Sequence, residues 1–154
     1  MQLQYIAGQS MPIHRALLFI SLALLAACSD SGSPEQQVRA VIEQMERAAE
    51  NRDVGELASH LSEEYRDANG MGADDASRYA RGFFLANQSI HLLTRIEELT
   101  FPTEGEARAQ VLVGILGRDA ADQWDLAAEL HTFKIALRRE EQDWRIVFVE
   151  VMRK

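Results

Sequence analysis

The chain has 154 residues and a formal net charge of −8, from 16 Lys and Arg against 24 Asp and Glu, which is the size of one ordinary domain. At 47% hydrophobic and 26% charged it lies within globular ranges, which excludes collagen-like, coiled-coil and wholly disordered chains. The acidic balance and the absence of a Lys/Arg cluster leave no electrostatic footprint for nucleic acid. A single cysteine excludes an intramolecular disulfide and a cysteine-based zinc site.

From Ala16 the chain reads ALLFISLALLAAC, an apolar run closed by Cys28, with Arg15 the only charged residue before it. The run is shorter than the roughly 20 residues a spanning helix needs. It matches the apolar region of a secretory signal, about 7 to 15 residues. Met11 is a plausible true start, because residues 11–15 alone make a compact basic leader. Leu25, Ala26, Ala27 and Cys28 resemble the lipobox of bacterial lipoproteins. That resemblance implies cleavage before Cys28, a diacylglyceryl group on its thiol and further acylation of the palmitate type at the new amine. Several acyl chains anchor stably where one is marginal. Residues 1–27 are then a signal peptide and residues 28–33 the lipidated cysteine with a short tether. Ser29 to Ser33, fully extended, reach about 17 Å. Ser29 directly after the cysteine resembles the outer-membrane sorting pattern, whereas the usual inner-membrane retention residue is an aspartate at that place; here Asp30 comes one position later. The alternative is an ordinary cleaved signal followed by a chance cysteine.

Ser33 with Pro34 and Gln36 predicts a capping box opening a helix, in which Val38, Val41, Ile42, Met45 and Ala49 share one face. Asn51-Arg52 ends it. Asp53 with Glu56 predicts a second capping box and a short helix with Leu57 and Leu61 on its buried edge. Tyr65 to Asp67 reads as a brief extended piece, Asn69-Gly70-Met71-Gly72 as a loop, and Asp74 or Asp75 as the start of a third helix with Tyr79, Ala80, Phe83 and Phe84 inward. The period then alternates, predicting strands over 90–101, 107–117, 129–139 and 144–153. Residues 102–106 and 140–143 carry hairpin-loop chemistry, and 118–125 a longer loop. Helices first and meandering strands afterwards predict an α+β fold with an antiparallel sheet.

This order of three helices followed by a curved sheet resembles the nuclear transport factor 2-like, or SnoaL-like, superfamily, which includes ketosteroid isomerases, scytalone dehydratase and polyketide cyclases. The stretch AENRDVGELASHLSEEYRD from Ala49 is similar to that family's first helices and first strand, and DWRIVFVEV to its last strand. The resemblance covers nearly all of residues 34–154. It implies a cone whose open end forms a pocket between helices and sheet, in a fold that hosts enzymes and non-enzymes alike.

Pairing Arg139 with Trp144 places Leu137 opposite Ile146, Ile135 opposite Phe148, Phe133 opposite Glu150 and His131 opposite Met152. On that register Phe133, Ile135 and Phe148 line an apolar floor with His131 and Glu150 as its polar end, about 7 to 8 Å apart at the backbone. Such a pair suits a base and its orienter in proton abstraction or dehydration; equally, it is a satisfied polar pair capping a core. Tyr65 is the candidate oxyanion-stabilising tyrosine, and a core tyrosine explains it as well. Trp124 either covers the pocket mouth or packs on the sheet edge. Arg95 and Glu97 lie on a solvated face or line the pocket. His60, His91 and His131 show no metal-ligand spacing, so no metal is expected, and no GxSxG, P-loop or GxGxxG motif implies a cofactor. Cys28 is taken by the anchor.

The last strand reads apolar at successive positions, Ile146 to Val149 with Val151 and Met152, and Leu112 and Leu116 back Val111, Val113 and Ile115. An outer sheet face covered by a second subunit is the expectation. The leading functional reading is a lipid-anchored, periplasm-facing, non-catalytic domain on the outer membrane that binds a small apolar ligand or an envelope protein. An isomerase or dehydratase using a pocket His/carboxylate pair is the alternative, and a structural dimeric scaffold the second alternative.

Overall fold

Helix α1 (Pro34–Glu50) opens as its sequence predicts. The Ser33 hydroxyl accepts from the Gln36 N–H at 3.2 Å and the Gln36 side chain accepts from the Ser33 N–H at 2.8 Å, closing the capping box. The computed structural model describes residues 32–119 and 129–153. Val38, Val41, Ile42 and Ala48 form the buried stripe of α1. In helix α2 (Val54–Ser59) the Asp53 carboxylate accepts from the Glu56 N–H at 2.9 Å. The return half of that box does not form, because the Glu56 carboxylate turns to His60 Nε2 at 3.2 Å.

Strand β1 (Leu61–Asp67) begins four residues before the expected extended piece, so Leu61 belongs to the strand rather than to the helix edge. Asp67 closes the following loop by accepting the N–H groups of Asn69 and Met71 at 2.8 and 2.7 Å. Gly70 sits there at φ 85°, a conformation natural only to glycine. Helix α3 (Ala73–Ala86) starts at Gly72, which gives no side-chain cap. Asp74 and Asp75 lie within its first turn, where negative charge complements the helix dipole. Phe84 is buried, as expected, but Tyr79 is 68% exposed. It lies about 100° round the helix from the stripe of Ala73, Ala76 and Phe84 that meets the core.

Strands β2 (Asn87–Thr103), β3 (Glu106–Asp119), β4 (Glu129–Glu140) and β5 (Asp143–Arg153) follow, each a little longer than its pattern predicts. The sheet order is β1-β5-β4-β3-β2. The four long strands are antiparallel, whereas β1 pairs with β5 in parallel, so the expected wholly antiparallel sheet carries one parallel edge.

Helix α1 lies along β2 and is tied to the sheet at both ends. Near its start the Gln37 side chain accepts from the Trp144 indole N–H at 3.0 Å, and Phe101 packs edge-on against Trp144 at 6.0 Å. The two hairpin turns meet at this end, where the Arg139 N–H donates to the Gly105 carbonyl at 2.8 Å. At the other end of α1 the Glu50 carboxylate accepts from the Leu92 N–H at 3.0 Å, and Arg52 donates to the Asn87 carbonyl at 3.4 Å. The core between α1 and the concave sheet face holds Val38, Val41, Ile42, Val111, Leu137 and Ile146, with Tyr65 and Trp144 beside them.

The β4–β5 hairpin follows the expected register only as far as Leu137 opposite Ile146. A bulge at Val147 then brings Phe148 opposite Ala136, Val149 opposite Ile135, Glu150 opposite Lys134, Val151 opposite Phe133 and Arg153 opposite His131. One extra residue exchanges the faces of everything after it. Val149 and Val151 join Trp144 and Ile146 on the concave face, and Phe148, Glu150 and Met152 pass to the outer one.

Candidate functional site

The concave face is graded in burial along its strands. At the hairpin end Leu137 and Ile146 are each 1% exposed. Toward the other, wide end the same face presents Ile135, Phe133, Val113 and Val149, all only partly buried, and then Val151 at 48% exposed. His131 stands in this wide half, half-buried, with its ring edge-on to Phe133 at 6.4 Å.

The bulge separates the pair expected at the polar end of this floor. His131 shares a face with Phe133 and Ile135, whereas Glu150 lies on the outer face with its carboxylate 3.6 Å from Lys134 Nζ. Phe148 likewise leaves the concave floor for the outer face. Trp124 lies outside the described residues. Tyr65 is part of the core cluster, and its hydroxyl pKa is raised first by burial and then by the Asp67 charge, so it stays a neutral phenol. Arg95 and Glu97 form an exposed ion pair at 2.9 Å, which settles them on the solvated side of β2. His60 caps the end of α2 against Glu56. Among the described residues no group of three or more His, Cys, Asp or Glu side chains is arranged to hold a metal ion.

Two shallow depressions lie elsewhere. One, of about 560 Å³, runs over the outer sheet face and is lined by Glu98, Arg108, Gln110, Lys134, Phe148 and Glu150. Its residues form cross-strand rows that become visible only once the register is known: Glu98, Gln110, Lys134 and Glu150 stand side by side on β2 to β5. The other, of about 530 Å³, lies between α2 and the hairpin end of the sheet. There Arg138 donates to Glu64 and to Glu140, both at 2.8 Å, and the Ser62 hydroxyl donates to Glu140 at 2.7 Å. The Ser62 hydroxyl and then Arg138 hold the Glu140 carboxyl below its ordinary pKa. These groups answer one another, which makes the cluster a clasp between β1 and β4.

No family model matches the sequence, and no curated protein matches it. Solved structures do. A protein assigned as a scytalone dehydratase from Novosphingobium aromaticivorans superposes with a TM-score of 0.69 at 14% identity, over 78% of this chain and 83% of that one. The hexachlorocyclohexane dehydrochlorinase LinA-type3 from Novosphingobium barchaimii gives 0.66 at 13% identity, over 87% and 90%. A protein assigned as a dehydratase of the nuclear transport factor 2-like family from Streptomyces avermitilis gives 0.66 at 15%, over 78% and 95%. The fold is nuclear transport factor 2-like.

Within this nuclear transport factor 2-like domain, one carboxylate-rich region escapes the sequence reading. Glu46 and Glu50 are four residues apart on the flank of α1 that meets β2, outside the apolar stripe used to find the helix. Glu50 holds the Leu92 N–H and lies 4.0 Å from His91 Nδ1. Glu46 lies beside the Thr94 side chain, and its carboxyl pKa is raised, first by burial and then by the neighbouring Glu50 charge. The available signal was the i, i+4 spacing of two acids beside a predicted strand, which also describes an ordinary solvated helix face. No helix among the described residues is long and apolar enough to cross a membrane.

Proposed function

We propose that the chain is a lipoprotein anchored through Cys28, whose nuclear transport factor 2-like domain is a non-catalytic, periplasm-facing module binding a small apolar ligand on the wide half of its concave face. The observation that carries the ligand reading is the gradient of burial along that face. Its hairpin half is sealed, while Phe133, Val113 and Val149 are only partly covered and Val151 is half open. An apolar surface with a few polar groups around it is the usual make-up of a small-molecule site. The anchor rests on Leu25 to Cys28 and the short polar tether before Ser33. Two measurements test the reading. Cys28→Ser should abolish incorporation of labelled fatty acid and move the protein from the membrane to the soluble fraction; retention in the membrane without label would sink the anchor. An environment-sensitive apolar dye should bind the soluble domain and bind Phe133→Ala less tightly; equal binding would remove the concave face from the reading.

Two other readings each have an observation in their favour. The structural neighbours named as dehydratases or as a dehydrochlorinase favour proton-abstraction chemistry, for which His91 beside Glu50 at 4.0 Å is the His–carboxylate contact at the wide end of the sheet. A test is loss of any detected dehydration activity in His91→Ala with the fold retained. A homodimer through the outer sheet face is favoured by Leu93, Leu130 and Phe148, which stand on that face at 67%, 52% and 38% exposed. Sedimentation of the soluble domain as a monomer at micromolar concentration would count against it.

A further inference from the structure

We infer that the exposed face of α3 is a docking surface for the lipid bilayer, where Tyr79 and Leu85 enter the headgroup region and Arg78 and Arg81 meet lipid phosphates. The inference rests on the Cys28 anchor proposed above and adds the surface that the anchored domain turns to the membrane. Tyr79 and Leu85 are the two most exposed large hydrophobic side chains among the described residues, Leu85 at 83%. Both are on α3, and helical geometry groups them. At 100° per residue Tyr79, Arg78, Arg81, Gly82 and Leu85 fall within an arc of about 160°, on the side away from the stripe of Ala73, Ala76 and Phe84 that meets the core. Arg81 and Gly82 are exposed with them. Nothing lies within 4 Å of the place a Gly82 Cβ would take, so the middle of this face is open.

Charge and reach select lipid as the occupant. In a chain of net charge −8, the stretch from Ala76 to Ile96 holds no Asp or Glu, the longest such stretch in residues 34–154. Arg78 pairs with Asp75, and among the described residues Arg81 makes no ion pair. An aromatic and an aliphatic side chain flanked by arginines suit the membrane interface: tyrosine sits at headgroup level, and arginine stems lie along apolar surface while their guanidinium groups stay with the phosphates. The tether keeps this face near its partner. Ser29 to Ser33 reach about 17 Å, so Ser33 stays within that distance of the bilayer. Helix α1 is 17 residues long, about 25 Å, and its far end meets the far end of α3 where Arg52 donates to the Asn87 carbonyl. With α1 lying along the bilayer, the tether and the Leu85 end of α3 reach the surface together. The acyl chains hold the protein there, so a small face need only orient it.

The test uses the full chain. Cys28 is its one cysteine and the anchor consumes that thiol, so Gly82→Cys places a single free thiol at the open centre of the face. The acylated protein, labelled there with an NBD fluorophore and reconstituted into vesicles of phosphatidylethanolamine and phosphatidylglycerol, should show blue-shifted emission that lipids spin-labelled near the headgroup quench. The same label on Glu104→Cys, in the exposed hairpin loop at the other end, should stay unshifted. Tyr79→Ser combined with Leu85→Ser should abolish the shift at position 82 with melting temperature and membrane retention unchanged, and Arg81→Glu should reduce it. An unshifted label at position 82 on acylated protein, or a shift that survives the Tyr79→Ser, Leu85→Ser pair, would overturn the docking face and leave the anchor standing. A shift in native membranes that is missing from protein-free vesicles would assign the face to a protein and overturn lipid as its occupant. A Cys28 thiol that reacts with the dye in the wild-type chain would show that no lipid is attached and overturn the anchor and the docking face together.

Discussion

The bulge at Val147 makes a quantitative statement about two residues that a regular hairpin would bring together. Glu150 lies across β5 from Lys134 as an ion pair at 3.6 Å, with side chains 50% and 43% exposed for lysine and glutamate. A pair so open to water contributes about 0.2 to 1 kcal/mol, and Glu150→Ala should cost no more than that. His131 faces the other way and loses on truncation its edge contact with Phe133, worth roughly 0.5 to 1.5 kcal/mol. The two sites share no partner among these contacts, so the double variant His131→Ala, Glu150→Ala should equal the sum of the singles within about 0.5 kcal/mol. A second cycle on Lys134 and Glu150 should show coupling of up to about 1 kcal/mol that fades as salt is added. Urea unfolding of the protein, with equal slopes across variants, measures both cycles. Coupling of about 1 kcal/mol or more between His131 and Glu150, a size characteristic of groups in contact, would mean that the hairpin runs without its bulge and would refute the face assignment of every residue after Ile146.

Trp144, 3% exposed and tied to Gln37, should be among the costliest residues to truncate: Trp144→Ala is expected to lose about 3 to 5 kcal/mol in the same unfolding assay. Asp67 should show an acid-dependent contribution. Burial works against its ionisation, but the Met71 N–H, the Asn69 side chain and the Asn69 and Gly70 N–H groups outweigh it and hold the folded pKa low. Its stabilisation is therefore complete above the unfolded pKa and disappears as pH falls through the folded one, so the melting-temperature gap between wild type and Asp67→Asn should be present at neutral pH and close in acid. Glu46 has the opposite sign, its folded pKa being raised. Ionising it costs stability once pH climbs past the ordinary glutamate value, so Glu46→Gln should raise the melting temperature at pH 7 and have no such effect well below that value.

Much of the fold was legible because local chemistry and burial agree. Ser33, Pro34 and Gln36 specify the start of α1 whatever lies beside it, and the capping box forms as read. The pairings of Arg139 with Trp144 and Leu137 with Ile146 were also legible, since the intervening turn sets their register. The bulge was not. Ile146, Val147, Phe148 and Val149 are all apolar, so an inserted residue changes nothing in the pattern until Glu150, and by then the alternation cannot say which face it counts from. The same ambiguity made β5 read as apolar on both faces, when its outer side mixes Phe148 and Met152 with Glu150. The sequence pattern places Tyr79 inward because a large aromatic at the margin of a helical stripe looks like a core residue in one dimension. Glu46 is hidden for the converse reason: an acid on a helix flank looks solvated until the strand bearing Thr94 is laid beside it.

Strand β2 is 17 residues long and forms the outer border of the sheet opposite β1. A border of that length, left flat, would recruit strands from other molecules. This one is broken up. Its register shifts between Ile96 and Glu98 and again between Thr100 and Thr103, where Pro102 removes a donor, and Glu50 occupies the Leu92 N–H. Arg95, Glu97 and Glu98 add charge in the middle. These interruptions shorten the runs of consecutive free backbone groups that a strand from another molecule could pair with on this border. Pairing from border to border would otherwise propagate from molecule to molecule without limit, so breaking the border protects the domain from open-ended assembly.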